Sequence, residues 1–390
     1  MYTSKEFKKI IRYIQIYGIS RTFNKVSGRL RLNLFSFDFL SNQRTQSISL
    51  IGCGQFAFST IMYFLRLKGM KRFRYSYDID YNASTSLAKR YNFTKAVEEV
   101  NAIFYDNDTK LVYIASNHAS HADYTCQCLQ YGKNVYTEKP IAVTIQQLVQ
   151  IEAYRKKYKG IIYAGYNRPY SKAFKLLKQS IATLKTNKGI DDKFSINFHV
   201  CGHKIESTHW YRKPEEGTRV CGNIGHWLDA TIHILAWRSL PELIFVHIDY
   251  SSKQEPDDNI NITLTTNKQD IITIMLTARS EPFEGIYESI NLQYKTVICK
   301  IDDFRSMKIW NEDAIQKFRF FPKDVGHKRA VTQPFFTPQE NRDWDEVILS
   351  SLLMLAITDM VKKLQNDMIF DIAKQLHDFN YSVEQQLQLL

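Results

Sequence analysis

The run Val135-Tyr136-Thr137-Glu138-Lys139-Pro140 sets an amine where it could take a proton from a hydroxyl. A β-type run leads into a proline, and the residue before a proline is pushed out of the α region. Lys139 is therefore expected in extended backbone at a strand end, with its side-chain direction fixed. The Lys139-Pro140 bond can be cis, which would sharpen the corner. An amine acts as a general base only when neutral, a form that burial and nearby positive charge favour. Glu138 would oppose this if the two side chains met, but successive side chains of an extended strand point to opposite faces. Glu-Lys-Pro alone also describes a surface turn; the residues around it decide.

Upstream, Ser47-Ile48-Ser49-Leu50-Ile51 reads as a buried strand. It runs directly into Gly52-Cys53-Gly54-Gln55-Phe56-Ala57, followed by helical spacing at Ile61, Phe64 and Leu65. Strand, glycine turn and helix in that order suit a dinucleotide pyrophosphate. Gly52 makes the tight turn, Gly54 lets a phosphate approach the backbone, and Ala57 lets the helix close on the sheet. The helix start at Gln55 and Phe56 turns its unpaired N–H groups to the anion. A second strand, Arg74 to Tyr77, ends at Asp78, 24 residues after Gly54, where a ribose-binding acid is expected. A carboxylate there accepts from the ribose hydroxyls and repels a 2′-phosphate, and no arginine follows it directly. NAD is therefore expected in preference to NADP. Asp80 is the competing acid, and a solvated turn residue is the alternative for either.

Leu111 to Ala115 is the next buried strand, and it delivers Ser116-Asn117-His118-Ala119-Ser120-His121 as a polar loop. Loops at the carboxyl ends of strands in open α/β sheets bind ligands, so Ser116, Asn117, His118 and His121 are expected to contact the cofactor or substrate. Two histidines three residues apart, with no carboxylate or thiolate partner, make a poor metal site, and no metal is expected. A helix over Asp123 to Gln130, a stop at Gly132 and a strand through Val135 then bring the chain to Lys139, at the edge where a nicotinamide would lie.

The order of these motifs, together with Gly165-Tyr166-Asn167-Arg168-Pro169-Tyr170, resembles the glucose-fructose oxidoreductase/inositol dehydrogenase (Gfo/Idh/MocA) family across about residues 47 to 240. The resemblance implies an α/β chain with an N-terminal Rossmann domain and a C-terminal α+β domain built on a large, mainly antiparallel open sheet. It implies that Lys139 is the catalytic lysine beside the reacting carbinol, with Glu138 next to it. It also implies that Asn167 and Arg168 face the nicotinamide and substrate. The segment from His209 to Asp229 resembles the family's Asp-x-x-x-His-x-x-Asp region: His226 and Asp229 match, but Gly222 stands where the family's catalytic Asp is expected. The neighbouring Asn223 is an amide and cannot titrate in its place, which leaves Lys139 and His226 as the acid–base pair of a variant site. The alternative for His226 is a core histidine satisfied by a backbone group.

Beyond residue 240, β-rich runs at Leu243 to Asp249, Ile260 to Thr265, Ile271 to Leu276 and Ser289 to Ile301 alternate with polar turns. They are consistent with one sheet packed on helices such as Glu346 to Lys363. The family resemblance implies self-association through its other face, as a dimer or tetramer. The domains are expected at 1–46 (a basic extension), 47–166 (the Rossmann domain) and 167–390 (substrate and oligomerisation).

The net charge of +12 is concentrated at the start of the 390-residue chain: residues 1–46 hold nine Lys/Arg against Glu6 and Asp38. There Phe7, Ile10, Ile11 and Ile14 recur at helical spacing, Gly18 and Ser20 interrupt, and Leu30, Leu32 and Leu34 alternate as in an extended arm. This extension suits a membrane surface or acidic partner, or a helix packed on the main body. Without a basic reading element or clustered aromatics, no nucleic acid is expected. No apolar run is long enough for a transmembrane helix and no secretory signal is visible, so a cytoplasmic location is expected. Six cysteines without a CxxC pair suggest thiols.

Three functions fit. The first is NAD(H)-dependent hydride transfer at a hydroxyl or carbonyl of a sugar. Arg168, His209, Trp210, Arg219, Asn223 and His226, with Lys139, would contact that substrate, and the arginines suit a nucleotide sugar of a polysaccharide pathway. The second is a non-catalytic dinucleotide-binding regulator or scaffold. The third is redox-neutral NAD-dependent glycoside cleavage.

Overall fold

The computed structural model describes residues 4–31, 47–184, 192–280 and 285–390. By internal contacts the chain forms two compact units. One, the Rossmann unit, comprises Ile19–Tyr166, Lys328–Asn341 and Asn380–Leu390; the other, the large-sheet unit, comprises Met1–Gly18, Asn167–His327 and Arg342–Phe379. The basic extension is thus shared between the two.

The Rossmann unit takes in the end of α1 (Ser4–Arg29), β1 (Ile48–Ile51) and a π-type turn over Ala57–Ile61 that continues into α2 (Met62–Leu67). There follow β2 (Phe73–Tyr77), α3 (Tyr81–Tyr91), β3 (Phe93–Ala96), α4 (Asn101–Phe104), β4 (Leu111–Ile114), α5 (His121–Gln130), β5 (Asn134–Thr137), α6 (Ile145–Tyr158) and β6 (Ile162–Ala164). Its six strands are parallel, in the order β3-β2-β1-β4-β5-β6. Ile-Ser-Leu-Ile and Leu-Val-Tyr-Ile of β1 and β4 are buried throughout, as central parallel strands covered on both faces must be. Phe58, Ile61, Phe73, Leu87, Tyr91 and Tyr113 build the core between β1–β2 and the helices.

Gly18, at φ 79° and ψ 165°, breaks α1, but the helix resumes and runs to Arg29. Of the expected extended arm, Leu30 is in a turn, and Leu32 and Leu34 lie outside the described residues. The second half of α1 buries Thr22, Asn24 and Ser27, and Asn24 Oδ1 accepts from the Tyr91 hydroxyl at 3.0 Å. Its inward face is polar, so it leaves no hydrophobic period to read. In the first half Ile16 is buried and its carbonyl accepts from Lys323 N at 2.9 Å.

The large-sheet unit continues with α7 (Lys172–Ala182), β7 (Phe194–Cys201), α8 (Gly225–Leu235), β8 (Leu243–Tyr250), β9 (Ile260–Thr266), β10 (Ile271–Thr277), β11 (Tyr287–Tyr294), β12 (Val297–Asp302), β13 (Ser306–Asn311) and β14 (Ala314–Arg319). The chain ends in α9 (His327–Thr332), α10 (Trp344–Lys363), β15 (Asp367–Asp371) and α11 (Ile372–Leu389). The nine strands lie in the order β14-β13-β12-β11-β7-β10-β9-β8-β15. All pairs are antiparallel except β7 with β10. Alternate residues of β7, β9, β10 and β11 are buried, the signature of a sheet with one covered face. Ser289 to Ile301, expected as one strand, is a hairpin: Tyr294 pairs with Val297 around Lys295 at φ 50°. No helix among the described residues is long and apolar enough to cross a membrane.

Helix α8 carries His226 and is anchored on α10. A β-carbon on Gly225 would lie 2.6 Å from Met354 Sδ, so the two helices meet closely there and a side chain would displace Met354. Polar ties add to this contact. Arg342 donates to Asp229 Oδ1 at 2.6 Å and to Glu346 Oε2 at 3.1 Å; Ser350 Oγ also bonds Asp229 Oδ1, and Glu346 Oε2 faces His233 Nδ1 at 2.8 Å. Asp229 and Arg342 are 1% and 7% exposed at the side chain, and removing one partner of such a buried pair strands the other charge. Arg342→Leu is expected to destabilise the large-sheet unit by roughly 3–5 kcal/mol. Urea unfolding beside the wild type measures this, and a midpoint shift within error would contradict the anchoring role.

Candidate functional site

The Rossmann sheet gathers four of the sequence-predicted groups on one edge. Gly52 follows β1, Asp78 follows β2, Ser116 and Asn117 follow β4, and Glu138 and Lys139 follow β5. All are at carboxyl ends of strands, around the point between β1 and β4 where the strand order reverses and such sheets bind ligands.

Gly52 adopts φ 89°, and a β-carbon there would lie 2.4 Å from the Ala115 carbonyl carbon. Only glycine permits that approach. Gly54 has open space where its β-carbon would be, the cradle a pyrophosphate needs. Phe58 N bonds the Gly54 carbonyl at 3.0 Å, and Ser59 Oγ bonds the Gln55 carbonyl at 2.8 Å, fixing the start of the helix. Asp78 accepts from Cys53 N at 2.6 Å and from Asp80 N at 2.9 Å. Asp80 caps α3 through Asn82 N at 3.0 Å, which separates the two acids: Asp78 belongs to the glycine turn and Asp80 to the helix. The residues present therefore fit a dinucleotide.

In the loop after β4, Ser120 Oγ reaches Ser116 Oγ and Asn117 Oδ1, both at 2.8 Å. Asn117 is exposed and His118 buried. His121, 1% exposed, sets Nδ1 2.8 Å from the Pro140 carbonyl and Nε2 3.1 Å from the Ser116 carbonyl. Burial lowers its pKa to about 4, against both backbone bonds; a neutral ring donates to only one of these two carbonyls. Both its nitrogens face the protein's own backbone. His121 is thus a strut between the loop and the Lys139-Pro140 corner rather than the ligand contact expected of it. That corner contains a cis peptide bond.

Glu138 is buried. Its Oε1 accepts from the Tyr136 hydroxyl at 2.7 Å and its Oε2 from Lys139 N at 3.3 Å. Tyr136 is held against Tyr113, ring centroids 4.8 Å apart, and the Tyr113 hydroxyl donates to the Val331 carbonyl at 2.8 Å. A β-carbon on Gly165 would sit 2.8 Å from Glu138 Cα, so the glycine lets the chain leave β6 across Glu138. Burial pushes the Glu138 carboxyl up to about 7, against the Tyr136 hydrogen bond and the Lys139 charge. Lys139 itself is half-buried.

The remaining predicted residues belong to the large-sheet unit. Arg168 makes a two-pronged bond to Glu288 at 3.0 and 3.2 Å and lies over the Trp227 ring at 5.2 Å. Trp227 Nε1 donates to Glu288 at 2.9 Å. Asn167 accepts from Arg168 at 3.0 Å and donates to the Val325 carbonyl at 2.6 Å. Both side chains are buried in this lattice, which departs from the expectation that they face cofactor and substrate. Arg219, 1% exposed, bonds Asp258 at 2.9 Å, the His203 carbonyl at 2.9 Å and Asn223 Oδ1 at 3.3 Å, so it is structural, while Asn223 is half-buried. His209 and Trp210 stay exposed, with His209 Nδ1 accepting from Tyr211 N at 3.2 Å. His226 is buried in α8 and Gly222 in the π-type turn Val220–Ile224 before it. Glu288 carried no signal in the sequence, 120 residues from Arg168.

Comparison with known proteins agrees with the fold. The sequence model of an oxidoreductase family with an NAD-binding Rossmann fold (GFO_IDH_MocA) matches residues 47–166. Trans-1,2-dihydrobenzene-1,2-diol dehydrogenase of Xenopus laevis is 29% identical over 113 residues, 29% of this chain. The chain spans only 33% of that relative's length. A Gfo/Idh/MocA family oxidoreductase from Vibrio cholerae has a similar structure, with TM-score 0.64 at 16% identity over 81% of this chain and 98% of that one. So does levoglucosan dehydrogenase solved with NADH and L-sorbose, with TM-score 0.67 at 14% identity over 84% and 99%. At these identities the likeness is one of fold.

The raised Glu138 pKa has a stability consequence. Between its ordinary 4.5 and about 7 the folded chain holds a proton that the unfolded chain has lost. The stabilising contribution is complete at low pH and disappears as pH rises through about 7. Glu138→Gln, which cannot ionise, is expected to flatten that loss, on the order of 3 kcal/mol at most. Thermal midpoints of both proteins across this pH range check it; parallel profiles would contradict a buried, titrating Glu138.

Proposed function

We propose that this chain, whose residues 47–166 are a Gfo/Idh/MocA Rossmann domain, is an NAD(H)-dependent oxidoreductase acting on a hydroxyl or carbonyl of a sugar or polyol, nucleotide sugars included. One observation carries the reading: Gly52, Asp78, Ser116 and Lys139 emerge from neighbouring strands on the same edge of one parallel sheet. Gly52 and Gly54 would accept the pyrophosphate and Asp78 the ribose hydroxyls, leaving the β5 end for the nicotinamide. When bound, the nicotinamide supplies or takes the hydride.

Lys139 Nζ holds the proton of the reacting hydroxyl. The side-chain direction imposed by Pro140 and the His121 strut keep that amine at the strand end. Glu138, neutral or charged according to pH on either side of about 7, tunes the charge beside it. His226 is assigned as a second acid–base group on the strength of the motif it belongs to, and Gly222 supplies no carboxylate. The self-association implied by the family resemblance belongs to this reading too, through the outer face of the large sheet, where Phe245, Ile271, Met275 and Ile298 are exposed.

Lys139→Met is expected to lower turnover roughly 10²- to 10⁴-fold while dinucleotide affinity stays within about twofold. The assay is NADH formation with a panel of polyols, sugars and nucleotide sugars, alongside calorimetric titration of NAD. Unchanged turnover would remove Lys139 from the mechanism. A wild type that binds NAD but turns over nothing in the panel would favour the regulator reading, in which Gly222 marks a lost acid.

A further inference from the structure

The extension does more than pack within the Rossmann unit: at Arg31 it meets the glycine turn. Arg31, two residues beyond the end of α1, has φ 49°, a left-handed conformation that bulky residues hold only where surrounding contacts impose it. Its Nη2 donates to the Cys53 carbonyl at 2.8 Å, and Nη1 lies 3.4 Å from both the Ala83 carbonyl and Ser86 Oγ in α3. The guanidinium carbon sits 5.4 Å from the Phe58 ring centroid. From the turn's side, Gln55 Nε2 donates to the Lys25 carbonyl at 3.0 Å. Gly28 approaches so closely that a β-carbon would lie 2.9 Å from Phe58 and 3.1 Å from Gln55.

Arg31 therefore bridges the glycine turn and the opening turns of α3, the two elements on either side of Asp78. Asp78 ends β2 and is itself bonded to Cys53 N and Asp80 N. In a dinucleotide fold this is the place of the adenosine ribose 2′ position, where a nearby arginine accommodates a 2′-phosphate. The guanidinium has five donors. Two of its three contacts are at 3.4 Å, at the weak end of hydrogen bonding, and the side chain is half-buried rather than enclosed. The Cys53 bond and the Phe58 ring beside it hold the guanidinium in place, and a positioned guanidinium suits a phosphate.

We propose that Arg31 is a cofactor-specificity residue that supplies the cation for the 2′-phosphate of NADP(H). It offsets the repulsion from Asp78 and lets the site take NADP(H) as well as NAD(H). The inference rests on reading the turn as a dinucleotide site and makes the N-terminal extension part of that site.

The test is calorimetric titration of the full chain with NAD and with NADP, for wild type, Arg31→Gln and Arg31→Lys. Wild type is expected to bind both. Arg31→Gln should weaken NADP about tenfold or more and NAD by less than about twofold, with Arg31→Lys recovering part of the NADP affinity. Equal losses for both cofactors would make Arg31 merely a prop for the turn and overturn the proposal, as would no change in either. A wild type that binds NAD but not NADP would overturn the Arg31 inference alone. Binding of neither would overturn the dinucleotide reading beneath it. If the glutamine variant fails to fold, the lysine variant and the salt dependence of wild-type NADP affinity decide, since a phosphate contact weakens with salt and an unchanged affinity would count against it.

Discussion

Residue 52 cannot carry a side chain. Where β1 ends, the chain turns at positive φ against the backbone of Ala115, at a separation that no β-carbon tolerates, while Gly52 N bonds the Tyr77 carbonyl at 2.9 Å. Three strand exits, from β1, β2 and β4, are locked together by that one contact and that one hydrogen bond. The rest of the edge follows from the lock. Asp78 leaves β2 within reach of Cys53 N, Ser116 leaves β4 beside the turn, and β5 adds the Lys139 corner through its pairing with β4. A side chain at this point would separate the strand ends and dissolve the site before any reactive group was touched.

Two buried glutamates, one in each unit, show how the protein treats buried charge. Glu288 is answered by the Arg168 guanidinium and by Trp227 Nε1, so a full set of donors offsets its removal from water. Glu138 receives only a tyrosine hydroxyl and a backbone N–H. Its carboxyl accordingly rises towards neutrality, and its protonation becomes sensitive to the pH at which the neighbouring lysine would work. The first arrangement builds rigid structure; the second leaves a proton that can be gained or lost beside Lys139.

What could be read in the sequence was whatever local rules enforce. Glycine at a tight turn, an acid at a strand end, the β-rich runs of β8 to β10 and the proline after Lys139 each act over a few residues, and the structure has them where they were expected. What escaped was set by distant or polar partners. The inner face of α1 near Thr22, Asn24 and Ser27 is hydrophilic, β14 is almost wholly exposed, and Arg168 owes its burial to a residue 120 positions away. His121 resembled a ligand because its role is defined by two backbone carbonyls, and carbonyls have no residue signature. The Gly222 departure was legible, and the structure adds that the position is buried in a π-type turn.

The support under Tyr113 and Tyr136 bears on how this protein can be divided. The acceptor for Tyr113 is the carbonyl of Val331, and Gln333 Nε2 bonds the Ala164 carbonyl at the end of β6. Residues 328–341 therefore brace a sheet whose strands end at Ala164, and the end of α1 packs into the same unit. The segment that carries the family signature is not an autonomous module. A chimera or truncated domain cut at its borders would lose both props, so recombination in this architecture must exchange three separated stretches of chain together.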